Sequence, residues 1–113
     1  MFNDAALVVA ATALDAAITH LQLHSGARGA AGTTNAVGAR VAVNGSVDGD
    51  GDITWSAAFT GLPSNQAVAE VSYWSASAGG TYYGGAVLSA GGDLAANAAG
   101  QIDVTVVESS TGA

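Results

Sequence analysis

From residue 39 onward the chain is a series of short segments in which apolar and polar residues alternate, each bounded by residues typical of turns. A period of two places alternate side chains on opposite faces of a β-strand. The clearest case is the segment 53–59, whose apolar members are Ile53, Trp55, Ala57 and Phe59. Such segments predict strands that bury one face and leave the other polar, as in antiparallel sheets.

The alternating segments predict about six strands. They cover residues 18–24, 39–47, 53–59, 67–75, 81–89 and the stretch around 102–106, with turns at 61–65, 78–80, 91–93 and 97–100. We therefore expect a mainly β protein, an antiparallel β-sandwich or flattened barrel with an N-terminal amphipathic helix.

The N-terminal segment has the period of a helix. Asn3 and Asp4 are good N-cap residues. The apolar residues that follow are spaced four and three apart, at Leu7, Ala11, Leu14, Ile18 and Leu21. This stripe predicts a helix within residues 1–20 that covers one face of a sheet; a coiled-coil seam between protomers is the alternative.

Residues 25–38 consist mainly of Gly, Ala, Thr and Asn and predict a loop or an extended arm. A loop of this length within a compact domain is often functional. The length of 113 residues fits a single domain, 1–113, in which residues 39–108 form the sandwich core.

The charge of the chain limits its partners. The formal net charge is −7, and the only basic residues are Arg28 and Arg40. Two isolated arginines cannot track a phosphate backbone or an anionic bilayer, so nucleic acid and membranes are not expected as partners. The apolar run 5–14 is too short to span a bilayer and has no preceding positive charge, so neither a membrane span nor a secretory signal is expected. Charged residues make up 10% of the chain, which leaves a surface of small residues suited to protein contacts.

Two groups of residues have side chains that could bind a metal ion. His20 and His24 share one face of a predicted strand, but no third ligand is evident. We expect a polar face that contacts the helix, the loop or a neighbouring subunit, and a zinc site is the alternative. The run Asp48–Asp52 resembles the start of a calcium loop, but Ile53 and Phe59 stand where an EF-hand needs Gly and Glu. A weak surface calcium site is the alternative to a solvated acidic turn.

No catalytic residue or cofactor is predicted. The chain has no cysteine and no Gly-x-Ser-x-Gly motif. The pairs Tyr73-Trp74 and Tyr82-Tyr83 could form a sugar platform, although adjacent strand residues point to opposite faces and one of each pair is expected in the core.

Three phrases in a fixed order carry a resemblance to a known family. They are ITHLQLHSG at 18–26, GTTNAV at 32–37 leading to Arg40, and VSYWSASAGGTYYGG at 71–85. Together they resemble a family of small virion proteins from tailed phages of actinobacteria, described as tail-fibre-like or minor structural proteins. The similarity spans residues 16–89; the family often has an Asn-Glu pair where this chain has Asn35-Ala36.

The resemblance implies a non-enzymatic β-sandwich located in the virion and assembled in the host cytoplasm. We expect a capsid decoration or minor capsid protein that stabilises the head shell; the alternative is a tail-fibre or minor tail protein that also binds host glycans. Partners would be the major capsid protein or tail proteins, and sister copies in a homo-oligomer such as a trimer. The candidate contact residues are Leu7, Leu14, His20, His24, Arg28, Asn35, Arg40, Trp74, Tyr82 and Tyr83.

Overall fold

The computed structural model describes residues 2–88 and 94–109, which form one helix and seven strands. The helix is α1 (Asp4–Ala17). The strands are β1 (His20–His24), β2 (Ala36–Ala42), β3 (Ser46–Val47), β4 (Ile53–Phe59), β5 (Glu70–Trp74), β6 (Tyr82–Val87) and β7 (Ile102–Glu108). The predicted end of the sixth segment at Ser89 and the predicted turn at 91–93 lie outside the described residues.

The strands form two antiparallel sheets. One has four strands in the order β2-β1-β5-β6, and the other has three in the order β3-β4-β7. The prediction of a mainly β, sandwich-like protein with an N-terminal helix is confirmed, with seven strands where about six were expected. The described strands do not close into a barrel.

The core lies between the two sheets. In β4 the residues at alternate positions are buried, and Trp55 and Phe59 are the largest of them. β7 pairs with β4 over all seven residues, so Val104 and Val106 lie on the same face as the buried residues of β4. From the four-stranded sheet, Leu21 and Val71 complete the core. Each such side chain stabilises the fold by about 1.5–3 kcal/mol through removal of apolar surface from water.

The predicted strand 39–47 is wrong, because the structure divides it between the two sheets. β2 ends at Ala42, and β3 begins at Ser46. Between them, Gly45 donates its backbone N–H to Asp15 Oδ1 (3.0 Å), and a Cβ at Gly45 would collide with the Asp15 carboxylate and the Trp55 indole. The close approach of the helix therefore turns the chain from one sheet into the other.

The helix is shorter than its apolar stripe. Asn3 Oδ1 accepts a hydrogen bond from Ala6 N–H at the start, and the helix ends at Ala17. Ile18 and Leu21 are buried but not helical, since Ile18 is the C-cap and Leu21 belongs to β1. Within the described residues, no helix is both long and apolar enough to cross a membrane.

The helix packs against β3 and lies beside the start of β4 and the end of β7. Ala11 is its one fully buried residue, and a small cavity separates Ala11 and Leu14 from Ile53 and Glu108. Leu14 is 41% exposed, so the stripe that was expected to cover a sheet is only partly buried. The helix lies at the end of the sandwich and leaves much of its own surface free.

Candidate functional site

The Gly- and Ala-rich segment ends at residue 35, because β2 begins at Ala36 inside the predicted loop 25–38. We call residues 25–35 the covering loop. The side of the four-stranded sheet that faces away from the core carries His24, Glu70, Ser72, Trp74 and Tyr82, and the covering loop contacts this side. We call it the covered face. It is where the residues singled out from the sequence come together.

His24 connects the covering loop to the sheet. Its Nδ1 lies 2.7 Å from the Thr34 carbonyl oxygen in the loop, and its Nε2 lies 2.7 Å from Ser72 Oγ in β5. Trp74 Nε1–H donates to the same Ser72 oxygen (2.7 Å). Burial lowers the pKa of His24, although the Thr34 carbonyl and the Glu70 charge work in the other direction.

The separation of Ser72 Oγ and His24 Nε2 is that of a nucleophile and its general base. Both side chains are fully buried, however, and the Trp74 indole already donates to the serine oxygen. A nucleophile must reach a substrate atom, so this burial favours a structural role for the pair.

A second set of contacts lies beside His24. Arg28 of the covering loop forms an ion pair with Glu70 Oε1 (2.5 Å) and donates from Nε to the Tyr82 hydroxyl (2.8 Å). Burial disfavours the charged form of Arg28, but the hydrogen bonds to Tyr82 and Glu70 outweigh it and raise its pKa. A Cβ at Gly85 would collide with the Arg28 side chain and the Val71 carbonyl, so the close approach of Arg28 requires a glycine there.

Arg40, Trp74 and Tyr82 form a stack across the same face. The Arg40 guanidinium lies 3.7 Å from the centroid of the Trp74 ring, and the Trp74 and Tyr82 rings are 5.3 Å apart. Arg40 also donates to the carbonyl oxygens of Ala76 and Gly79 in the β5–β6 turn. A cation over an indole ring is favourable by about 0.5–2 kcal/mol.

The stack changes the interpretation of Trp74. Its side chain is buried between Arg40 and Tyr82, so Trp74 offers no open ring surface to a sugar. His24 is buried as well, so both side chains lie inside the described structure, and their contact with a partner stays a prediction. Their role is to hold the covered face together.

The other predicted contact residues are at least partly accessible. Tyr83, Asn35 and Leu14 are exposed, whereas Arg28, Arg40 and Tyr82 are half-buried within the covered face. Leu7 and His20 are also half-buried, with His20 Nδ1 bonded to Thr19 Oγ1 (2.8 Å).

The metal hypotheses gain no support. His24 uses both ring nitrogens within the protein, and Asp48 Oδ1 accepts the backbone N–H groups of Asp50 and Asp52. The described part of the chain contains no group of three or more His, Asp or Glu side chains that could hold a metal ion.

Sequence reasoning missed both the partners of His24 and several exposed apolar side chains. Glu70, Ser72 and Trp74 share one face of β5, a pattern that was visible, but the pairing of β5 with β1 was not. The exposed side chains that were missed are Phe2, Val9, Val87 and Val107.

Comparisons of the chain with protein-family models, with curated proteins and with solved structures find no match.

Proposed function

We propose that this protein is a non-enzymatic virion structural protein of a tailed phage, a capsid decoration or minor capsid protein that binds the head shell and stabilises it. The proposal combines the resemblance of residues 16–89 to small virion proteins with the character of the exposed surface. Capsid is favoured over tail because the sequence has no collagen-like repeat and no long coiled coil.

The observation that carries the proposal is the exposed apolar surface of α1. Val9 is 71% exposed on the side of the helix opposite Ala11, and Phe2, which precedes the helix, is 75% exposed. The only charged residues of α1 are Asp4 and Asp15. A helix that is apolar on nearly all sides is normally buried, so this surface suits a contact with another protein.

The electrostatics support a protein partner. Arg28 and Arg40 are the only basic residues, and both bond to groups of this chain within the covered face. The surface is left acidic and free of lysine, which suits a contact with a neutral or basic protein and opposes contact with the packaged genome.

The copy number of the protein in purified phage particles tests the location. Quantitative gel analysis or mass spectrometry against the major capsid protein should give hundreds of copies per particle. A few copies would place the protein in the tail and favour the fibre alternative. Its absence from particles would overturn the virion proposal altogether.

The contact surface is tested with two matched substitutions. Val9→Gln replaces an exposed apolar residue on α1, and Val107→Gln makes the same change at an exposed position of β7. Both should leave the free energy of unfolding within about 0.5 kcal/mol of the wild-type value. Only Val9→Gln should reduce incorporation into particles; reduction by Val107→Gln alone would move the contact to the three-stranded sheet.

A further inference from the structure

The hydrogen bonds of His24 determine its protonation state. The Thr34 carbonyl can only accept, so Nδ1 must carry the proton. Trp74 Nε1–H can only donate, so Ser72 Oγ accepts it and is free to donate its own proton to His24 Nε2. All the donors and acceptors are satisfied when His24 is neutral and protonated on Nδ1.

Protonation of the ring removes this match. An imidazolium has two donors and no acceptor, so Ser72 Oγ would have to accept from both His24 and Trp74. The serine hydroxyl would then lose His24 Nε2 as its acceptor, and Ser72 is fully buried. A buried donor without a partner is costly, so the imidazolium is disfavoured while the loop is closed.

The charged groups around His24 do not compensate. Glu70, opposite His24 in the β1–β5 pairing, attracts an imidazolium, but it is engaged by the Arg28 guanidinium and its attraction is smaller than the effect of burial. Arg28 itself repels an imidazolium, and Tyr82 of β6 binds Arg28 rather than His24. On the β2 side His24 pairs with Ala36, which carries no charge.

We propose that His24 is a pH-sensitive latch, which holds the covering loop on the sheet when neutral and releases it when protonated. Release separates Nδ1 from the Thr34 carbonyl and exposes the imidazolium to water. Release also opens the contacts of the Arg28 side chain with Glu70 and Tyr82, the hydrogen bond from the Arg28 backbone N–H to Glu70, and the contact of Gly32 with the Tyr82 ring. The latch depends on the covered face alone and stands whether or not the protein is a virion component.

The direction of the pH effect follows from linkage. Burial lowers the pKa of His24 in the closed state below the ordinary value of 6.5. The open form therefore binds more protons between these two pKa values, and acid favours it. The stabilisation of the closed loop is complete above pH 6.5 and is lost as the pH falls, with the opening equilibrium rising at most about tenfold per pH unit.

The test uses the two histidines of the chain. Long-range ¹H–¹⁵N NMR should show His24 as the neutral Nδ1–H tautomer at about pH 7.5. Amide hydrogen exchange should show that Arg28, whose N–H donates from the loop to Glu70 Oε1 of the sheet, loses protection as the pH falls from about 7 to about 5. The amide of Thr105, in the other sheet, is the internal reference.

His24→Gln keeps a donor and an acceptor but cannot titrate, so it should remove the pH step in loop protection. The matched control, His20→Gln, should retain that step. An Nε2–H tautomer, titration of His24 without loss of loop protection, or an unchanged pH step in His24→Gln would each overturn the latch. If His24→Gln does not fold, the wild-type protein alone still tests the latch. The NMR titration of His24 and the loss of loop protection must then have the same midpoint pH.

Discussion

Ser72 is the residue on which the covered face depends most, because its hydroxyl serves two buried partners. It accepts from Trp74 Nε1–H and bonds His24 Nε2, both at 2.7 Å. Ser72→Ala would leave a buried indole N–H and a buried ring nitrogen unpaired. We expect a loss of about 2–3 kcal/mol in the free energy of unfolding, measured by urea denaturation.

A second serine in the same kind of strand provides the control for that experiment. Ser56 lies on the exposed face of β4 and bonds only the Thr105 hydroxyl (3.1 Å). Ser56→Ala should change the stability by less than about 0.5 kcal/mol. Equal effects of the two substitutions would show that the buried chain of hydrogen bonds does not stabilise the fold.

Tyr73 and Tyr82 differ in the hydrogen bonding of their hydroxyl groups. The Tyr73 hydroxyl is buried beside Glu108, but no hydrogen bond of good geometry joins them. Burial raises the pKa of Tyr73, and the charge of Glu108 and its contact with the hydroxyl act in the same direction. The Tyr82 hydroxyl accepts from Arg28 Nε. Tyr73→Phe should therefore be neutral or stabilise by up to about 1 kcal/mol, whereas Tyr82→Phe should destabilise by about 1 kcal/mol. A loss in Tyr73→Phe as large as in Tyr82→Phe would show that the Tyr73 hydroxyl has a partner.

The sequence predicted part of this site. The predicted strand 67–75 puts Glu70, Ser72 and Trp74 on one side, since alternate residues of a strand share a face. His20 and His24 were predicted to share a face of another strand, and the structure agrees on both points. The sequence could not show that the covering loop folds over this side, because the loop is held by a backbone carbonyl and by contacts with glycines that no side-chain pattern reveals. The pattern therefore predicted a polar face that contacts the helix, the loop or a neighbouring subunit, and the structure shows the contact with the loop.

At the scale of elements, the covering loop depends on a glycine that touches an aromatic ring. Gly32 has φ +71°, and a Cβ there would collide with the Tyr82 ring. Gly61 also has φ +71°, but a Cβ there would meet nothing. Both Ala substitutions incur about 1–2 kcal/mol of left-handed backbone strain.

Only Gly32→Ala should add a steric cost, because inserting a methyl group into a packed contact forces the neighbours apart. We expect it to lower the free energy of unfolding in urea by about 1–2 kcal/mol more than Gly61→Ala does. Gly32→Ala should also reduce hydrogen-exchange protection at Thr34. Equal destabilisation by the two substitutions would mean that the loop does not need its contact with Tyr82.

The strands whose two faces differ in polarity were predicted most accurately. β4 occupies residues 53–59 as expected, because one face lies in the core and the other in water. The change from a helical period to alternation also predicted a strand from Ile18 onward, and the helix does end at Ala17. The strand 39–47 was misjudged, because apolar spacing continues through Val43 although the backbone changes direction at Gly45. Hydrophobic periodicity indicates burial but does not show where the chain turns.

For the whole molecule, the distribution of charge sets the response to salt. Nine acidic residues oppose two basic ones, and both arginines are engaged within the covered face. Asp4, Asp50 and Asp103 are exposed. Mutual repulsion of the carboxylates therefore destabilises the compact state and is screened by ions.

We expect the urea midpoint to rise as NaCl increases from about 0.02 M to about 0.5 M. Salt screens the repulsion among many carboxylates, whereas it weakens one ion pair, Arg28–Glu70, among the described residues. The double variant Asp50→Asn, Asp103→Asn neutralises two of the nine acidic residues and changes the formal charge from −7 to −5. It should be more stable than the wild type at low salt and less sensitive to added salt. A midpoint that falls with salt would show that the Arg28–Glu70 pair outweighs the repulsion, and that the covered face, rather than the acidic surface, determines the electrostatic stability of the protein.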